Sequence, residues 1–258
     1  MEPTTLERTP PVAWVTLNRP DQRNALSLEL MRHLTATLEA LAADEEIKVI
    51  VLQGSGPAFC AGHDIRQLVG EDATIHHFRT IFSTCARMMG LLHTLPQPVI
   101  AKVHGIATAA GCQLVAACDL AIAETGARFA TPGVRIGLFC STPMTPLIRL
   151  IGRRRAMDML MTGRFVPAAE ALDFGLVNKV VPREELDQAA RDWALEIGQY
   201  SRFTIGLGKE AFYAQADMDE ASSYALTKEI IAMNCQAEDA QEGMSAFLDK
   251  REPSWKNR

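Results

Sequence analysis

Two loops built of small residues, CAGHD at 60–64 and ATAAG at 107–111, each follow an apolar run and each lead toward a helical pattern. Backbone N–H groups at a helix start lack internal acceptors and point at whatever lies beyond them. Two such ends converging offer a pair of fixed donors to one oxygen, an oxyanion hole. Losing one donor in sites of this kind costs about 2.7–4 kcal/mol of transition-state stabilisation. Taken singly, either loop reads equally well as a close-packed turn. The second loop enters GCQLVAACDL, whose first turn carries Gln113, an amide that hydrogen-bonds but cannot exchange a proton near neutral pH. The G-x-G of GSGPAFCAG is not a dinucleotide fingerprint, because a proline and further residues precede any helix and no acidic residue closes a following strand.

The elements that position these loops follow from patterning. WVTLNRP (14–20), IKVIVLQG (47–54) and PVIAKVHG (98–105) read as strands, the latter two rich in β-branched residues and bounded by glycine. Ser27 caps a helix whose Met31, Leu34, Leu38 and Leu41 share one face. Another helix is expected to open at Asp64, which forms a capping-box pattern with Gln67. Residues 119–124, 128–133 and 177–182 are expected as short strands, and 143–151, 153–163, 167–175 and 183–200 as helices. In the last of these Leu186, Ala190, Trp193 and Ile197 align. From 202 onward the chain is helix-forming throughout. Strand-strand-helix units followed by helices predict an α/β core over 1–200 with a helical region over 201–258. That region carries Phe212, Tyr224, Ile230, Ile231 and Phe247, numerous for a free tail, so a neighbouring subunit is a candidate surface.

Composition narrows the function classes. The 258 residues carry a net charge of -5, which argues against nucleic acid or an anionic membrane surface as main partner. The opening MEPTTLERTPPVAW lacks the order of a signal peptide, which points to a cytoplasmic protein. The six cysteines show neither CxxC pairing nor zinc spacing and, Cys140 apart, read as reduced packing residues, with no metal expected.

The segments NRPDQRNALS (18–27), FCAGHDI (59–65), PVIAKVHGIATAAGCQLVAACDLAIA (98–123), RFATPGVRIGL (128–138), GLVNKVVP (175–182) and EGMSAFLDKR (242–251) together resemble the crotonase (enoyl-CoA hydratase/isomerase) superfamily. The likeness runs in order over almost the whole chain. It implies a β-spiral core of ββα units with a C-terminal helical trimerisation region, assembled as a homotrimer or homohexamer. It also implies an acyl-CoA thioester as substrate, with coenzyme A bound only as part of it, and a lyase or isomerase activity in fatty acid metabolism. The oxyanion amides implied are those of His63 and Ala110. The residues implied to hold the coenzyme are Arg23, Ala25, Ala61, Asp64, Ile65, Ile106 and Gly111, with Phe247 and Lys250 presented to a neighbouring subunit's CoA.

Two departures stand out against that likeness. The positions of the two hydratase glutamates fall on Gln113 and Gly133, so ordinary hydration is expected to be weak. FCSTP (139–143) replaces a glycine-rich loop near the acyl carbons, which makes Cys140 and Ser141 candidate nucleophiles or acids if His63, His76 or His77 serves as base. The alternative for both is that they fill the pocket floor, and His104 and Asp119 read as structural. Three readings remain at this level: an acyl-CoA-processing enzyme (a thioesterase or decarboxylase type included), a non-catalytic acyl-CoA-binding homologue, and a purely structural relative.

Overall fold

The computed structural model describes residues 2–70 and 73–258. Strands β1 (Thr4–Thr9), β2 (Val12–Leu17), β3 (Val49–Gly54), β4 (Val99–Val103), β6 (Leu120–Glu124) and β9 (Lys179–Val181) make the main sheet. Their order is β1-β2-β3-β4-β6-β9. The first pair is antiparallel and the remaining pairs are parallel. A smaller sheet joins β5 (Ile106–Thr108), β7 (Arg128–Ala130) and β8 (Val166–Pro167).

The central strands are covered on both faces, as parallel strands require. One face meets α7 (Leu186–Gly198), whose Leu186, Ala190 and Ala194 pack on Val12, Trp14, Val49, Val51, Ile100 and Ile122. Helices α1 (Leu28–Ala42), α2 (Ile75–Thr94) and α3 (Ala110–Ala117) bury the opposite face. Ser27 caps α1 by accepting from the Leu30 amide at 3.1 Å, as its sequence signal predicts. Helix α3 is buried on every side, which its run of alanine, glycine and cysteine permits because such side chains let neighbouring backbones approach closely. Helices α4 (Met144–Ile151), α5 (Arg153–Thr162) and α6 (Ala168–Phe174) follow β7, and α8 (Arg202–Gln215), α9 (Glu220–Gln236) and α10 (Glu238–Asp249) complete the chain.

Several boundaries differ from the sequence expectation. No helix opens at Asp64: Ile65–Leu68 is a single 3-10 turn, and the helix begins at Ile75 under a Thr74 cap. Asp64 does cap that turn, but the Gln67 side chain accepts from the Leu28 amide at 2.9 Å instead of reaching back. The capping box is therefore half-formed, and Gln67 ties the loop to α1. The first strand spans Val12–Leu17, and its edge partner β1 reads as polar because four of its residues face water. Within ATAAG the segment is partly a strand, β5, before the chain turns into α3.

Among the described residues no helix is long and apolar enough to cross a membrane, and no cluster of three or more histidine, cysteine or carboxylate side chains suits a metal.

Candidate functional site

The two small-residue loops are held together by backbone contacts. Cys60 donates its amide to Ile106 O at 3.1 Å and accepts from the Thr108 amide at 2.9 Å, while the Thr108 hydroxyl donates to Ala61 O at 3.0 Å. Gly111 lies so close to this bridge that a Cβ there would stand 2.1 Å from Cys60 O. Gly62, at φ +97°, would place a Cβ 2.9 Å from the Ala109 Cβ and 3.4 Å from the Ala110 nitrogen. The loops are thus in van der Waals contact because both glycines lack a side chain.

Neither the His63 nor the Ala110 amide finds a backbone acceptor among the described residues. Leu26 accepts from the Asp64 amide and donates to Gly62 O, stepping over His63, and Ala110 is the first residue of its helix. Both residues line one cavity of about 620 Å³. The strain of this corner falls on Ala109, at φ 51° and ψ -119°, and not on Ala110, whose conformation is helical. A side chain at such a φ costs on the order of 1–3 kcal/mol. Ala109→Gly is accordingly expected to stabilise the fold by about 1 kcal/mol once the glycine's own entropy is counted. Calorimetry should record that as a rise of about 2–4 °C in Tm. An unchanged or lower Tm would show that the corner carries no strain.

The cavity also gathers Ala61, Ile65, Gly133, Cys140 and Ser141 from the expected set. Gln113, Arg23, Ala25, Asp64, Ile106 and Gly111 do not line it. Gln113 is buried at 4 % exposure, and its Oε1 has no donor among the described residues. Gly133 is more than a missing acid. A Cβ there would meet Leu138 O at 2.7 Å and Cys140 Sγ at 2.9 Å, so the 138–140 segment already occupies the space of a side chain. Asp64, expected at the coenzyme, is instead spent within the fold. It is buried at 7 % exposure, pairs with Arg19 at 3.0 Å, and caps the Arg66 amide. Arg19 in turn grips Ala25 O at 2.6 Å, while Arg23 O accepts from the Ala61 amide at 3.0 Å. Phe247, 83 % exposed, and Lys250, the left-handed cap of α10, lie on the helical region and not on this cavity.

Among the described residues no base is set against Cys140 or Ser141. Burial pushes the Cys140 thiol up, which keeps it protonated and weakly nucleophilic. Ser141 Oγ donates to Phe139 O at 3.3 Å and meets no base. His76 is exposed and His77 bonds Gln67 O at 2.9 Å, so neither serves either residue. His63 packs edge-on against Phe82 at 5.2 Å, both of its ring nitrogens are buried, and burial lowers its pKa against a smaller opposing effect of the Leu26 backbone. His104, as its position suggests, is structural: Nε2 lies 2.9 Å from Gly56 O.

Phe139, Thr142 and Pro143 line the cavity with the rest of the FCSTP segment expected there, whereas other parts of the wall escaped the sequence reading: Phe82 comes from α2, and Arg135, Ile136, Leu138 and Phe165 from the segments after β7. A sequence shows that PGVRIGLF is apolar with one cation, but no spacing rule tells which of these side chains turns toward the loops.

A family model for enoyl-CoA hydratase/isomerase matches residues 7–258. The chain is 44% identical to enoyl-CoA hydratase domain-containing protein 3, mitochondrial, of Xenopus laevis over 98% of its own length and 85% of that protein. The Homo sapiens protein of the same name is 42% identical, over 98% and 83%. Among solved structures, an enoyl-CoA hydratase of Mycobacterium smegmatis superposes with a TM-score of 0.96 at 44% identity, covering 99% of each chain. The human domain-containing protein 3 gives 0.95 at 42%, covering 98% of this chain and 100% of that one.

Proposed function

The chain belongs to the enoyl-CoA hydratase/isomerase family and has its crotonase fold, and on that premise we propose that it binds an acyl-CoA thioester and polarises the carbonyl between the amides of His63 and Ala110. Charge that develops on the thioester oxygen is met there by two donors that need no reorganisation. One observation carries this reading: both amide-bearing residues line a single cavity whose described wall contains no carboxylate. Ordinary hydration is slow in consequence, since Gln113 and Gly133 supply no acid or base and such groups typically contribute about 100- to 10,000-fold each. Chemistry that needs enolate stabilisation alone remains open to the site.

Arg23, Ala25, Ala61 and Ile65 hold the pantetheine and adenine side of the coenzyme in this reading, with Ile106 and Gly111 shaping the loops behind them. Asp64 acts by locking that loop through Arg19. The helices after residue 201 serve assembly into trimers or hexamers, where Phe247 and Lys250 face a neighbouring subunit's CoA. Exposed Phe212, Tyr224, Ile231, Met233, Phe247 and Leu248 support that role. A second reading, binding without turnover, is favoured by the absence of any base against Cys140 or Ser141.

The test is a side-by-side assay with a glutamate-bearing member of the family. Crotonyl-CoA hydration is expected to fall below that enzyme's rate by about 100-fold or more, while acyl-CoA esters raise the Tm. Hydration at the reference rate would overturn the proposal, as would the lack of any stabilisation. Stabilisation with no product from crotonyl-CoA, carboxyacyl-CoA or saturated acyl-CoA would select the second reading.

A further inference from the structure

The cavity is electrically lopsided. Its described wall holds an arginine and a histidine but no carboxylate. Arg135, in the 3-10 turn Pro132–Ile136, makes neither an ion pair nor a hydrogen bond with any described residue. A second guanidinium, Arg128, lies 4.9 Å over the ring of Phe165, itself a wall residue, and also lacks an acidic partner among the described residues. The neighbouring Arg164 shows the contrast, being neutralised by Glu170 and by Asp158. His63 adds no charge to the wall, since its ring nitrogens are buried away from the cavity and the ring stands edge-on to Phe82.

A plain alkyl chain would satisfy none of these groups. A carboxylate satisfies the unpaired cation, because a guanidinium fork matches its two oxygens. Resting on the reading of this cavity as the acyl-thioester site, we propose that its substrates are carboxyacyl-CoA thioesters. Arg135 pairs with the acyl carboxylate, and the apolar Ile136, Leu138 and Phe139 cover the intervening methylenes. Arg135 selects the substrate by charge, independently of the amides that hold the thioester.

Succinyl-CoA and butyryl-CoA share a four-carbon acyl chain and differ in the terminal carboxylate, so the ratio of their dissociation constants isolates the claim. Titration calorimetry on the intact protein is expected to show succinyl-CoA bound about tenfold tighter or more. Arg135→Met should reduce the ratio below about threefold, and Arg135→Glu should invert it by placing like charges together. Because Arg135 is exposed, neither change threatens folding. Equal affinities in the unmodified protein overturn the proposal and leave the thioester site standing. A loss in Arg135→Met that is the same for succinyl-CoA, butyryl-CoA and free CoA also overturns it, by assigning the arginine to the coenzyme's phosphates. Failure of every acyl-CoA to bind removes the thioester reading itself, and this proposal with it.

Discussion

Asp119→Ala is expected to cost about 3–5 kcal/mol of folding stability, the usual penalty for stripping one partner from a buried ion pair. Asp119 follows α3, where its Oδ2 accepts from the Val99 amide and from Lys209 Nζ, each at 2.7 Å. Its Oδ1 accepts from the Tyr213 hydroxyl at 2.9 Å. The two charged side chains are only 6% and 13% exposed, so an orphaned ammonium has little water to turn to. Lys209 would keep a single bond, to Gln97 O at 2.9 Å. One carboxylate therefore pins the start of β4 to α8. Adding Lys209→Met to Asp119→Ala should recover part of the loss, since an apolar pair buries no charge. Denaturant titration of both variants decides it. A loss below about 1 kcal/mol in the single variant would place this pair with ordinary surface bridges.

Gly111→Ala should separate the two loops and, with them, the two amides. The added methyl would stand 2.1 Å from Cys60 O and 2.8 Å from Cys60 C, both backbone atoms that no rotamer change can clear. Overpacking of this kind costs about 1–3 kcal/mol, and more where the neighbour cannot yield. Where the chain still folds, loss of one aligned donor predicts a fall of about 100- to 1,000-fold in thioester turnover. If the protein only binds, acyl-CoA affinity is the readout. Gly208→Ala is the matched control, because its Cβ meets nothing within 4 Å. Equal Tm and equal turnover or affinity for Gly111→Ala and the parent would mean that the close approach does not set the site.

The fold was readable wherever burial is symmetric. The runs at 47–54 and 98–105 became β3 and β4, covered on both faces, and Ser27 marked the start of α1 at the residue. Legibility failed where a local signal was answered by a distant partner. The Asp64–Gln67 pattern looks like a helix start, yet Gln67 bonds Leu28 and Asp64 bonds Arg19, contacts that sequence spacing does not encode. Strand β1 was missed because an edge strand solvated on both faces, as its four consecutive exposed residues are, has little apolar alternation to show. The loops at the core of the candidate site were legible from their bare composition. Arg135 and Phe165 were not, since their place on the wall depends on how β7 and β8 bring separate segments side by side.

The cavity has two kinds of wall. Its inner half is formed by loops welded to each other backbone to backbone, with Cys60, Gly62 and Gly111 allowing no extra atom. Its outer half, from Arg135 through Phe139 together with Phe165, is solvent-facing and can trade side chains without disturbing the sheet. Innovation in this lineage therefore has a natural address. Selection can retune what the molecule accepts by editing one exposed rim, while the welded loops, to which we assign the grip on the thioester, are frozen by sterics.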